Sequence, residues 1–115
     1  MQNFIVAGSV MPGTRVSDLI TIRVIQQGRE VLVAACDKEV LGRTLREGEL
    51  KLLVSRDFYE GEEGDEEMLV SRLNMATMAN LVGERCCAIA AKHDFIDEEC
   101  VLRIQGVPHA QMVRY

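Results

Sequence analysis

Tryptophan is absent from this 115-residue chain, and the only other aromatic residues are three Phe and two Tyr. The core must therefore be aliphatic, and the aromatic platforms on which single-stranded nucleic acid usually stacks are missing. Long apolar runs are missing too: Val31–Cys36 and Cys86–Ala91 are the longest, far below the roughly 20 residues a membrane helix needs. No basic residue precedes the mildly apolar start MQNFIVAG, so a secretory signal is not expected, and the default location is the cytoplasm. The four cysteines, Cys36, Cys86, Cys87 and Cys100, form neither a CxxC pair nor a spaced framework. Reduced, mostly buried thiols are expected. With only two histidines, His93 and His109, no paired-ligand spacing for zinc exists, and neither a metal nor a cofactor is expected.

What is present is ordinary for a folded domain: 48% hydrophobic and 27% charged residues, enough for one core and too short for two. Residues 1–18, broken by Pro12 and Gly13, show no period and read as an irregular arm. Residues 19–115 read as a single domain. The net charge of −5 is unevenly spread. Residues 1–56 hold eight basic and six acidic side chains, a balance of +2, whereas residues 57–115 hold five basic and twelve acidic, a balance of −7. Seven of the eleven residues from Asp57 to Glu67 are acidic, which predicts a solvated loop, because packed like charges repel.

Along the chain, Leu19–Gln26 is β-branched and partly alternating, Gln27-Gly28 supplies a turn, and Val31–Ala35 follows as a second strand. Asp37 is placed to cap a short helical turn that Gly42 would end. Leu50–Val54 reads as a third strand. A helix is expected near 66–78, where Leu69, Leu73 and Ala76 fall on one stripe and Glu66 and Glu67 favour the helix start. Ala79–Val82 reads as a break or short extended piece. Gly83–His93 is a second helix with Cys86, Ile89, Ala90 and His93 on one face. Val101–Ile104 is a fourth strand, and Gln111–Val113 a short terminal one. The fold class expected is α+β: a small antiparallel sheet of about four strands, with two main helices packed on one face.

Three stretches, VLVAACDKEVLGRTLREGELKLLVSRDFY (31–59), ATMANLVGER (76–85) and VLRIQGVPHAQ (101–111), carry a family likeness. Over Leu19 to Arg114 the chain resembles an archaeal family known as domain of unknown function 424. The resemblance implies a cytosolic archaeal protein of mixed α and β structure. It brings no activity and no site residues.

Chemistry has two candidate places. In NLVGER, Asn80 is able to cap the helix that follows, Gly83 permits close backbone approach, free N–H groups at the helix start are able to hold an anion, and Arg85 adds a fork of donors. Glu84 opposes this with its own negative charge. In GVPHAQ, Gly106 and Pro108 predict a stiff turn that presents His109, with Gln111 on the same face once a strand has begun. Asn80, Gly83, Arg85, His109 and Gln111 together make a candidate anion-binding site, and no residue is assigned as catalytic. The basic half supplies Arg23, Arg29, Lys38, Arg43, Arg46, Lys51 and Arg56, a positive patch if several share one face. The leading expectation is a binding module for RNA or a ribonucleoprotein. The alternatives are a small enzyme using His109 with Cys36 or Asp37, and an adaptor that meets a basic protein through the acidic loop 57–67.

Overall fold

The computed structural model describes residues 19–114; the expected arm, residues 1–18, lies outside them. Eight strands and three α-helices follow in the order β1 (Ile20–Gln27), β2 (Glu30–Asp37), β3 (Thr44–Glu47), β4 (Leu50–Leu53), α1 (Arg56–Tyr59), β5 (Glu62–Gly64), α2 (Glu66–Met75), β6 (Met78–Val82), α3 (Glu84–Lys92), β7 (Leu102–Ile104) and β8 (Val107–Val113). The architecture is α+β, but the expected sheet of about four antiparallel strands is wrong. The main sheet has six strands in the order β5-β1-β2-β6-β8-β7, and β3-β4 forms a separate two-stranded sheet. The main sheet is mixed, because β2 and β6 run parallel while its other neighbours are antiparallel.

The error has a physical source. β6 is short and lies between two helices in the sequence, so it carries no alternation of its own, yet Ala79, Leu81 and Val82 are buried because it is a central strand covered on both faces. The acidic run also contributes a strand, β5, through pairing with β1 at Ile20–Ile22. That pairing is tertiary and leaves no trace in local hydropathy. Pro108, expected in a turn, lies within β8, opposite Arg103 of β7. Its carbonyl accepts from Gly83 N–H on the β6 side. The N–H that proline lacks would point to that same side, where the Gly83 carbonyl is already taken by Cys87 N–H in the first turn of α3. The turn proper is Gln105-Gly106, both at positive φ (56° and 80°), joining β7 to β8 by a two-residue hairpin loop.

Each face of the sheet has its own cover. On one side, Ile22, Val33 and Leu81 pack under Leu69 and Leu73 of α2 and Cys86 and Ala90 of α3. Burying each of the two leucines fully stabilises by about 1.5–3 kcal/mol. On the other side, Ala34, Cys36, Val82 and Ile104 lie under Leu45 of the β3–β4 hairpin, Val54 and Tyr59 of α1. The structure is therefore three-layered around β2, whose residues Val33 to Asp37 are all buried. Among the described residues, no helix is long and apolar enough to cross a membrane.

Candidate functional site

The two candidate motifs meet, because β6 and β8 are neighbours: Asn80 pairs with Gln111, Leu81 with Ala110 and Val82 with His109. Their side chains nevertheless divide between the two faces. Ala110 and Met112 join the core beneath α2 and α3, so His109 and Gln111 alternate to the opposite face, as does Asn80. There the Gln111 side-chain amide donates from Nε2 to Asn80 Oδ1 at 3.0 Å. His109 sits in mid-strand between Val82 and Leu102, not at the tip of a turn, and its partial burial lowers its pKa.

Gly83 and Arg85 belong to a different arrangement. Gly83 is the N-cap of α3 and has no side chain to cap with. The carboxyl group of Asp37, at the end of β2, does so instead: Arg85 N–H donates to Oδ2 at 2.9 Å and Cys86 N–H to Oδ1 at 3.0 Å. Asp37 is 2% exposed. Burial raises its pKa, while those two N–H groups pull it back down. The position where an anion would meet the helix start is therefore filled by the protein itself. The Arg85 guanidinium is held by Glu39 and lies 3.5 Å from Asp37. The local turn that Asp37 was expected to cap, a short 3-10 helix over Lys38–Val40, receives no side-chain cap.

The residues of the alternative enzyme are not assembled. Cys36 and Asp37 are consecutive in β2 and face opposite sides of the sheet. Val82 stands between Cys36 and His109 in the strand register, a separation of two strand spacings, about 10 Å. Burial first, and the nearby Asp37 carboxyl second, push the Cys36 thiol up to about 12. Burial does the same to Cys87 and raises Cys86 well above its usual value. Cys100 alone of the four is exposed. A thiol reagent applied to the native protein at pH 8 is accordingly expected to modify one cysteine quickly and the other three only at the rate of unfolding. Because the folded thiols ionise near 12 against an ordinary value of 9.0, the stability they contribute is intact below about pH 9. It is lost as pH rises toward 12, so labelling of the buried three should accelerate across that window. Rapid modification of more than one thiol at pH 8 would contradict this burial.

The acidic run is largely occupied internally. Glu60 pairs with Arg56, Glu62 with Arg72, Glu63 with Lys38, and Glu66 with Lys92 and His93. Asp65 caps α2 by accepting from Met68 N–H at 2.9 Å. Half of the described basic residues are paired. Lys38, Arg56, Arg72, Arg85, Lys92 and Arg103 have carboxyl partners, whereas among the described residues Arg23, Arg29, Arg43, Arg46, Lys51 and Arg114 have none; Arg23 and Arg114 donate to the carbonyls of Asp57 and Asn74 instead. Arg43, Arg46 and Lys51 lie on or beside the β3–β4 hairpin and are exposed. Arg46 and Lys51 are directly opposed in its register, a like-charge pair that costs stability where nothing offsets it. With Leu45 and Leu52 turned to the core, alternation puts Thr44, Arg46, Lys51 and the 55% exposed Leu53 on the outer face. The sequence lists both cations but hides their pairing. The signal available was Gly48-Glu49 between TLRE and LKLL, a two-residue hairpin loop with Gly48 at φ +60°.

A family described as "Protein of unknown function (DUF424)" matches residues 25–115. The chain belongs to that family. All of the candidate residues just described fall within the DUF424 match. Among curated proteins, none matches the chain. The crystal structure of an uncharacterized conserved protein from Methanopyrus kandleri is similar, with a TM-score of 0.68 and 22% identity over 84% of this chain and 94% of that one. That likeness establishes a shared fold between this DUF424 domain and the archaeal protein. Among the described residues, no group of three or more His, Cys, Asp or Glu is arranged to hold a metal ion.

Proposed function

We propose that the domain is a non-catalytic binding module for RNA, free or within a ribonucleoprotein, and that the outer face of the β3–β4 hairpin is its phosphate-contacting surface. The observation that carries this reading is the opposed, exposed pair Arg46 and Lys51, which with Arg43 lacks acidic partners among the described residues. Three of the six described cations that lack a carboxyl partner gather on one small hairpin, two of them directly opposed. An external polyanion offsets that repulsion. Point charges spread over an exposed hairpin face suit a polymer of phosphates better than a small anion.

The test is filter binding of total cellular RNA across a salt series. Retention is expected at about 50 mM salt and should fall steeply toward about 200 mM. An Arg46→Glu/Lys51→Glu variant should bind at least about tenfold more weakly, with the salt slope reduced by about two. Unchanged retention in that variant, with its thermal unfolding intact, would remove the hairpin from any nucleic-acid role.

A further inference from the structure

We propose that the open part of the main sheet, on the face that the basic hairpin partly covers, is a seat for the unpaired bases of single-stranded RNA. This rests on the RNA reading above and adds which form of RNA is taken and by which residues. Two rows of side chains cross the four strands β1, β2, β6 and β8 on the face opposite α2 and α3. Register aligns Arg23, Ala34, Asn80 and Gln111 in one row, and Ile25, Leu32, Met78 and Val113 in the next. The second row is an unbroken aliphatic stripe. Its outer half is solvent-facing, with Met78 40% and Val113 50% exposed.

The first row supplies polarity of a particular kind. The bond from Gln111 Nε2 to Asn80 Oδ1 leaves the Asn80 amine and the Gln111 carbonyl oxygen without a side-chain partner among the described residues. The free donor and free acceptor on these two neighbouring residues are the kinds of group that pair with a base edge, as the single amide of an Asn or Gln does when it reads adenine. In a duplex those edges are already paired or lie in a groove that side chains do not reach, whereas in a single strand they are free. The faces of such bases need an apolar support. With almost no aromatic residues in the chain, the stripe provides it through aliphatic groups and the polarisable sulfur of Met78. Arg23, in line with the amide pair, is exposed; its Nη1 donates to the Asp57 carbonyl, and its guanidinium is of the kind on whose plane a base stacks. Positive charge on this side of the molecule, at Arg23 and along the hairpin, complements the backbone of the same strand.

An apolar peptide of a partner protein would also cover the stripe, but it would leave the free donor and acceptor of the amide pair unused. Fluorescence anisotropy decides between these occupants, using a mixed-sequence single-stranded RNA and its duplex at one salt concentration. The wild-type protein is expected to bind the single strand about tenfold or more tightly than the duplex. Met78→Asp and Asn80→Ala/Gln111→Ala should each cost about tenfold in single-strand affinity and leave duplex affinity unchanged, while the hairpin reversal weakens both. Gln111→Ala alone, at an exposed position, serves if the double variant unfolds. Equal affinity of the wild type for the two RNAs overturns the seat while leaving the hairpin reading in place. Face variants that keep single-strand affinity overturn it as well and assign the stripe to a protein partner. Failure to bind either RNA overturns both readings.

Discussion

Replacing Asp37 by alanine should destabilise the domain by about 3–4 kcal/mol, because the lost cap leaves two N–H donors at the start of α3, one buried and one part-buried, without acceptors. Asp37 is 2% exposed and accepts from both Arg85 and Cys86 at the start of α3, so water does not replace the missing oxygens. Arg85 would also keep only Glu39 as a partner. For a domain with a total stability of about 5–15 kcal/mol, this is a large fraction, and the melting temperature should drop by about 15 °C or more. Asp37→Asn keeps one acceptor oxygen but turns an amine toward the other N–H, so its loss should be clearly smaller than that of alanine. Chemical denaturation of the three proteins checks the order. Equal stability of wild type and Asp37→Ala would mean that α3 does not depend on this cap.

Gly83→Ala should be as damaging, at about 3–5 kcal/mol, for two reasons that add. Gly83 has φ +114° and ψ 159°, a region that costs a residue with a side chain about 1–3 kcal/mol. A Cβ there would also collide with the carboxyl carbon and Oδ1 of Asp37, which would push the cap out of place. Gly106 is the control, since it too has positive φ, +80°, but a Cβ would meet nothing within 4 Å. Gly106→Ala should therefore cost only about 1 kcal/mol, the conformational part alone. The difference between the two glycines contains the contact with Asp37 together with the harsher backbone conformation of Gly83. In the double variant Asp37→Ala/Gly83→Ala the losses should not add, falling short by about 1–2 kcal/mol, because the carboxyl that the new methyl would displace is already gone. Full additivity in denaturation experiments would place the damage in backbone strain alone.

Asp37 also marks where the sequence stops being informative. The β1–β2 hairpin is legible because its strands are β-branched and a glycine punctuates them, and α2 because Leu69, Leu73 and Ala76 recur at helical spacing. Those signals are local. Asp37 reads locally as the cap of the turn after β2, yet its carboxyl serves a helix almost fifty residues later, at Arg85 and Cys86. The clue was negative: α3 opens on Gly83, which has no capping side chain, so a cap had to come from elsewhere. The candidate residues show the same limit. Adjacency of NLVGER and GVPHAQ follows from β6 pairing with β8, but only strand parity separates Asn80, His109 and Gln111 from Gly83 and Arg85. A one-residue change in register between β6 and β8 would turn His109 and Gln111 to the other face.

The short strand β5 has a consequence for how molecules of this protein meet one another. Among the described residues it is the outermost strand on its side of the sheet, the place where an unpaired backbone invites a strand from a second molecule. It offers three residues, two of them glutamates, Glu62 and Glu63, both exposed. A short, carboxylate-bearing rim resists edge-to-edge addition. The acidity between Asp57 and Glu67 thus guards a sheet that is otherwise open to growth, and replacing those two glutamates with valine would turn a barrier to self-association into a template for it.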